Sequence, residues 1–351
     1  MKKIKILIVD DSVLFRTQIQ AALQSCPEFE LLGTASNGKL ALEKMEGLAP
    51  DLCILDIEMP VMDGLETLVE MKRRNIKTRA IMFSSQSKAG ADRTLEAMRL
   101  GALDFVAKPL AEAPGGSPSE KIREALVPKL RSLFASSPLP SLKAIHPRSP
   151  VPLHFRPEVL VIASSTGGPN ALVEFFSGVK EKFPFPVFVT QHMPPVFTAS
   201  LAERIETSTG LRCKEGEDGE LAKPGVVYVA PGNFHMSLRG SPEGVRIALD
   251  QGALRNFVRP CADYLLESAA EIFGPGALGL ILTGMGRDGA EGAALIKKCS
   301  GLVLIQDQSS SVVFGMPGAV YEAGNFDFLG HPTALGEKVT QLIRARRAHV
   351  A

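Results

Sequence analysis

Short β-branched runs alternate with amphipathic stretches over the first third of the chain, the pattern of parallel strands joined by helical crossovers. Residues 4–9, 31–35, 52–55, 80–83 and 104–106 read as strands. Between them, residues 12–23, 38–45, 64–73 and 88–100 place apolar side chains at helical spacing, with Asn37 positioned as an N-cap, and residues 120–134 predict a further helix. The expected architecture is α/β: a doubly wound, flavodoxin-like sheet whose ligand site lies at the carboxyl ends of its strands.

Regular periodicity stops from Ala135 to Pro157, where Ser and Pro accumulate, the composition of a linker partly stiffened by its prolines. Strand-like runs resume at residues 159–163, 187–190, 226–230, 278–282 and 302–305, again separated by helical ones, with a hairpin expected around residues 234–249. A second α/β domain with a mostly parallel sheet follows. The boundaries are set at residues 1–125 for the first domain, 126–157 for a helix end and linker, and 158–347 for the second domain.

Composition narrows the function classes. A chain of 351 residues holds about two domains, and 45% hydrophobic with 22% charged residues suits packed cores rather than disorder. The formal net charge of +1 supplies no global field for nucleic acid or anionic membrane. Five cysteines without any Cys-x-x-Cys spacing fit reduced thiols in a cytoplasmic protein. The opening apolar run is broken by Asp10 and Asp11, and no stretch approaches the ~18 apolar residues of a membrane span, so neither a signal peptide nor membrane insertion is expected.

Two sets of residues carry chemistry. Asp10 and Asp11 end the first predicted strand and Asp56 ends the third, so a doubly wound sheet brings their carboxylates to one edge. Clustered carboxylates repel unless a hard cation sits among them, and Mg2+ prefers such oxygens. Asp56 could then take a phosphoryl group while the metal and Lys108 neutralise developing charge and Ser84 donates its hydroxyl. Taken singly, each Asp reads as a helix cap or loop residue, and Lys108 as a surface charge.

In the second domain, Ser165 follows a strand and precedes Gly167 and Gly168, a tight strand-to-helix turn that exposes a hydroxyl and frees backbone N–H groups for an oxyanion. Ala163-Ser164-Ser165-Thr166-Gly167 has the form of a nucleophile elbow whose first Gly is Ala163, with Ser164 as the competing candidate. A serine hydroxyl needs a base, normally an imidazole held by a carboxylate. His192 and Asp288 also follow predicted strands, and their order after Ser165 differs from the Ser, Asp, His order of the α/β hydrolases. His235 is a rival imidazole, and Asp288 alone reads as an N-cap.

Residues 1 to about 125 closely resemble the response-regulator receiver domain. That resemblance implies Asp56 as phosphoacceptor, Asp10, Asp11, Asp56 and the backbone of Glu58 as Mg2+ ligands, and Ser84, Phe105 and Lys108 as the phosphate switch, with a cis bond commonly found at Lys108–Pro109. Residues from about 158 to 345 resemble the catalytic domain of the chemotaxis protein-glutamate methylesterases. The matching motifs are Ser-Thr-Gly-Gly-Pro at 165–169, Gln-His-Met-Pro-Pro at 191–195, Ala-Pro-Gly at 230–232 with His235, Arg259-Pro260, Thr-Gly-Met-Gly-x-Asp-Gly at 283–289 and Phe-Gly-Met-Pro at 314–317. Ala163 and Cys261 depart from the usual Gly and Ser, and Ala163 is expected to tighten the turn.

The resemblance implies Ser165 as nucleophile, His192 as base, Asp288 as orienting acid, and N–H groups around Thr166 and Met285 as the oxyanion hole. It implies hydrolysis of glutamyl methyl esters on methyl-accepting chemoreceptors, deamidation of receptor glutamines, no cofactor in the catalytic domain, and a chemotaxis histidine kinase as phosphodonor. The adjoining switch suggests regulation, with the unphosphorylated receiver packed over the Ser165 cleft. The alternative is a non-catalytic module that binds receptors or partners, which only Ala163 favours. A transcriptional regulator lacks the basic recognition helix it would need.

Overall fold

The structure, a computed structural model, describes residues 3–109, 116–134 and 155–348. It divides into two units, Met1–Ser136 and Ser137–Ala351. The linker expected at 135–157 lies almost wholly outside the described residues.

In the first unit the chain runs β1 (Ile4–Val9), α1 (Val13–Gln24), β2 (Phe29–Ala35), α2 (Gly38–Leu48), β3 (Leu52–Asp56), α3 (Gly64–Arg73), β4 (Arg79–Ser84), α4 (Lys88–Leu100), β5 (Asp104–Ala107) and α5 (Pro118–Phe134). All strand pairs are parallel, in the order β2-β1-β3-β4-β5. Helices cover a parallel sheet on both faces, which is why β3 is buried at every position and reads as a continuous apolar run up to Asp56. The helix starts are written locally: Ser12, Asn37, Asp63 and Ser87 each accept a backbone N–H of the first turn, and Asp63 with Glu66 closes a capping box.

The second unit contains β6 (Val159–Ser164), α6 (Gly168–Gly178), β7 (Val187–Gln191), α7 (Phe197–Thr209), β8 (Arg212–Glu215), β9 (Val226–Val229), β10 (His235–Arg239), β11 (Arg246–Asp250), α8 (Ala262–Phe273), β12 (Ala277–Ile281), α9 (Ala290–Lys298), β13 (Leu302–Gln306), α10 (Met316–Ala323), β14 (Phe328–Gly330) and α11 (Pro332–Ala348). Seven strands form a parallel sheet in the order β14-β13-β12-β6-β7-β9-β8, and β10 and β11 form the antiparallel hairpin. Val161, Ala163, Phe188, Tyr228, Met236, Leu265 and Ile281 belong to one buried cluster uniting the sheet, the hairpin and α8.

In both sheets the order of strand addition reverses beside the strand that carries the chemistry. In the first, β1 lies between β2 and β3; in the second, β6 lies between β7 and β12. Such reversals splay the following loops apart and leave a crevice at the carboxyl ends of the strands. β8 and β14, absent from the expected strands, are short edge strands. Ala163 lies within β6 rather than in the turn, fully buried, so its methyl is a core contact and does not tighten the elbow.

Candidate active site and phosphate-acceptor site

Register brings the acidic cluster together. Val9 pairs with Leu55, Asp56 with Phe83, and Ser84 with Ala107, so Asp10, Asp56, Ser84 and Lys108 stand at one edge of the first sheet. Lys108 Nζ lies 3.0 Å from Asp10 Oδ2 and 2.8 Å from Asp56 Oδ2. The rings of Phe15 and Phe83 sit beneath the ammonium at 4.6 and 5.5 Å, holding it by cation–π attraction. Asp56 Oδ1 accepts the Ile57 N–H at 2.7 Å and Asp10 Oδ1 the Ser12 N–H at 2.8 Å.

Burial, then the charge of Asp10, pushes Asp56 up to about 6 against the opposing pull of Lys108. Asp10 is also raised, chiefly by burial. Although within ion-pair distance of Lys108, Asp10 Oδ2 is buried without a well-directed hydrogen bond. Carboxylate oxygens of Asp10, Asp11 and Asp56 come within 4.8 Å of one another. An open, buried oxygen among three converging carboxylates fits a hard divalent cation. Glu58, two residues past Asp56, is exposed.

Ser84 is buried, its Oγ 2.6 Å from Thr94 Oγ1 and 3.2 Å from Gly90 O, so its hydroxyl is committed to the start of α4. Phe105 is buried on β5. The Lys108–Pro109 bond is trans; Arg259–Pro260 is the cis bond among the described residues. The expectation of cis fails because the two X-Pro isomers differ by only about 0.5–1 kcal/mol intrinsically, leaving the choice to surroundings that the dipeptide does not encode.

In the second unit the neighbours of β6 deliver the other candidates. The His192 N–H donates to Ser164 O at 3.1 Å on one side, and the Ser165 N–H donates to Thr283 O at 3.0 Å on the other. Ser165 therefore stands between the loops that follow β7 and β12, half-buried at the crevice floor. His192 Nε2 lies 2.7 Å from Asp288 Oδ2, which leaves Nδ1 as the nitrogen able to accept a proton. Ser165 Oγ makes no hydrogen bond among the described residues, a common state before substrate binds.

The elbow is fixed from below. Ser164 is fully buried and donates to Gln191 Oε1 at 2.7 Å, while Gln191 Nε2 donates to Ser165 O at 2.9 Å. Gly167 turns the chain in the left-handed region at φ 79°, where a Cβ would also fall 2.6 Å from Val312 Cγ2. Gly168 has no room either, since a Cβ there would meet Gln191 Oε1 at 2.0 Å. Thr166 is buried, and Met285, half-buried, follows Gly284, whose carbonyl accepts from Gly315 and Met316.

Asp288 sits in a nest of donors at the N-terminus of α8. Its carboxylate accepts from Asn256 Nδ2 (2.9 Å), Cys261 Sγ (2.9 Å), Ala262 N (2.6 Å) and Asp263 N (3.2 Å) besides His192. Burial opposes its charge, but the His192 contact, the Cys261 thiol and the Ala262 N–H outweigh burial and hold the carboxyl well below the usual range. Burial and then the Asp288 charge push the Cys261 thiol up, which keeps it protonated as a donor. Asp263, held by Gly292 N and Asn256 Nδ2, is pushed up to about 6 by burial and by Asp288. Cys261, Asp263 and Asp288 also cluster as metal-type ligands, yet these carboxylates are already supplied with N–H donors.

His235, the rival imidazole, is buried with both nitrogens on backbone partners: Nδ1 accepts from Cys261 N at 3.2 Å and Nε2 faces Ala253 O at 3.0 Å. Asn256 and Asp263 went unseen in the sequence. The only local signal is Asn256 itself, an amino acid that tolerates the left-handed backbone it adopts here at φ 55°.

A flavodoxin-like sheet with an acidic pocket and lysine, followed in one chain by a parallel sheet with Ser165, His192 and Asp288 at its reversal point, defines a response regulator with an enzymatic output domain. The chain belongs to the CheB methylesterase family: the model described as CheB methylesterase matches residues 160–339, and that of the response regulator receiver domain matches residues 6–114. A Nocardioides protein named protein-glutamate methylesterase/protein-glutamine glutaminase is 40% identical over 99% of this chain and 97% of its own. One from Caulobacter vibrioides, named protein-glutamate methylesterase/protein-glutamine glutaminase 2, is 43% identical over 91% of this chain and 93% of its own. The crystal structure of the Thermotoga maritima CheB methylesterase catalytic domain is similar with a TM-score of 0.52 and 44% identity, covering 53% of this chain and 98% of that one.

Proposed function

We propose that this chain hydrolyses glutamyl methyl esters of chemoreceptor proteins to glutamate and methanol, and deamidates receptor glutamines, in chemotactic adaptation. The observation that carries the reading is the 2.7 Å contact of His192 Nε2 with Asp288 beside the Ser165 turn. Ser165 is the nucleophile, Ser164 being buried and bonded to Gln191. His192 Nδ1 takes the Ser165 proton as the hydroxyl attacks the ester carbonyl, then returns it to the departing methoxide; water cleaves the acyl-enzyme by the same route. Asp288 holds the tautomer that leaves Nδ1 free to accept. The N–H groups of Thr166 and Met285 receive the oxyanion. For a glutamine side chain the leaving group is ammonia.

Asp56 is the phosphoacceptor, with Lys108 meeting the phosphoryl oxygens, Ser84 turning its hydroxyl from Gly90 O towards them, and Phe105 responding to that change. Asp10, Asp11, Asp56 and the backbone of Glu58 would hold Mg2+, which would supply positive charge to offset that on the transferring phosphoryl group. A histidine kinase of the chemotaxis system is the phosphodonor. The site of action is the cytoplasm; among the described residues no helix is long and apolar enough to cross a membrane. The test is methanol release from methylated receptor by the full chain, with and without a small phosphodonor and Mg2+. Faster release with both supports the reading, and equal rates would remove the regulatory part.

A further inference from the structure

Three loops around Ser165 each raise an apolar side chain into solvent. Val196, four residues past His192, is 36% exposed; Val312, against Gly167, is 38% exposed; Phe257, next to the Asn256 that bonds Asp288, is 96% exposed. A ring so exposed buries almost nothing within its own fold. Val196 at φ 75° and Phe257 at φ 63° also occupy the left-handed region, unfavourable for β-branched and bulky residues.

The Phe257 loop is nevertheless braced on both sides. Arg255 forms a two-point pair with Glu267 at 2.7 and 2.6 Å and a contact with Glu291 at 2.6 Å. Arg259 spans the other side, donating to Asn233 Oδ1 at 2.7 Å, Gln251 O at 2.8 Å and Gly252 O at 2.6 Å. Asn256 ties the loop to Asp288 and Asp263 at 2.9 Å each. A strained backbone persists only where its surroundings over-determine it, and such places serve recognition.

We propose that Phe257 is the docking anchor for the protein substrate, gripping apolar side chains of the polypeptide that flanks the glutamyl ester, with Val196 and Val312 completing an apolar rim around Ser165. The inference rests on the hydrolase reading. The occupant is the substrate protein because Val312 lies against Gly167 in the nucleophile turn and Phe257 adjoins the Asn256 that bonds Asp288, and because exposed Arg287, directly before Asp288, offers positive charge to a glutamate-bearing surface. Rigid aromatic anchors beside a pocket carry a disproportionate share of binding energy.

The experiment measures equilibrium binding of a methylated chemoreceptor cytoplasmic fragment to the full chain carrying Ser165→Ala, so that the ester survives. Adding Phe257→Ala should raise Kd about ten-fold or more, and Phe257→Leu should regain most of that loss. The melting temperature should stay at the parent value, since the ring packs against nothing. Unchanged binding by Phe257→Ala, or a change only in self-association, overturns the anchor, as does a loss of binding that tracks a lowered melting temperature in both variants. Methanol release by the chain with Ser165 intact is scored separately: its absence would sink the hydrolase reading while a Kd shift would still uphold the anchor.

Discussion

Ser164 Oγ donates to Gln191 Oε1 at 2.7 Å, and both side chains are buried, so the residue before the nucleophile fastens the elbow to the neighbouring strand. Gln191 uses its other end on Ser165 O at 2.9 Å. Gln191→Ala should therefore leave the buried Ser164 hydroxyl without its acceptor, costing about 1–3 kcal/mol of stability, while Ser165 O keeps only the Gly168 N–H at 2.7 Å. It should also let Ser165 drift, lowering kcat on the order of 100-fold. Thermal unfolding and methanol release check the two effects; a variant that keeps wild-type kcat would show that the tie does not position the hydroxyl.

Asp288→Asn retains shape but turns a hydrogen-bond acceptor toward a donor. Because Cys261, Ala262, Asp263 and His192 all present donors to this carboxylate, the amide cannot satisfy them, and His192 loses its preferred tautomer. The expected fall in kcat is about 10⁴-fold, with KM for receptor little changed. Steady-state kinetics on methylated receptor make the comparison, and a fall below about ten-fold would speak against the orienting role.

Mg2+ affinity should depend on pH through the raised carboxyls of Asp56, at about 6, and Asp10. A carboxyl raised on folding retains its proton longer in the folded state, so without metal its contribution falls as pH rises from about 4 through about 6. Mg2+ reverses that sign by favouring the ionised cluster. Calorimetric titration should show binding at pH 7.5 that weakens progressively below pH 6, and Asp56→Asn should weaken it at pH 7.5. Affinity independent of pH between 5 and 7.5 would argue that the cation lies elsewhere.

Asp56→Asn should also remove any acceleration of methanol release by a small phosphodonor, since an amide oxygen cannot form the acyl phosphate. Coupling of typical size, about 1–3 kcal/mol, gives an activation of roughly 5–150-fold in the parent chain. Persisting acceleration in the variant would place the phosphoacceptor at another residue.

Much of the fold was legible because parallel strands buried on both faces write long apolar runs, and because Asn37 marks the start of α2; α3 and α4 begin and end where periodicity alone puts them. β8, with the sequence Arg-Cys-Lys-Glu, carries too much charge to read as a strand, and β14 has only three residues. The charged positions are tolerated because β8 closes one edge of the sheet. At the candidate site, Asp10, Asp56, Ser165 and His192 are visible as strand-end residues. The donors around Asp288 are not: Asn256 and Cys261 lie 32 and 27 residues from it in sequence, and only the docking of α8 beside β12 brings them near.

The most direct test compares methanol release from methylated receptor by the chain and by Ser165→Ala at equal concentration. Loss of the nucleophile should lower the rate by at least about 10³-fold while receptor binding persists. Equal release by both proteins would contradict the account, leaving the second unit without a serine-based hydrolysis.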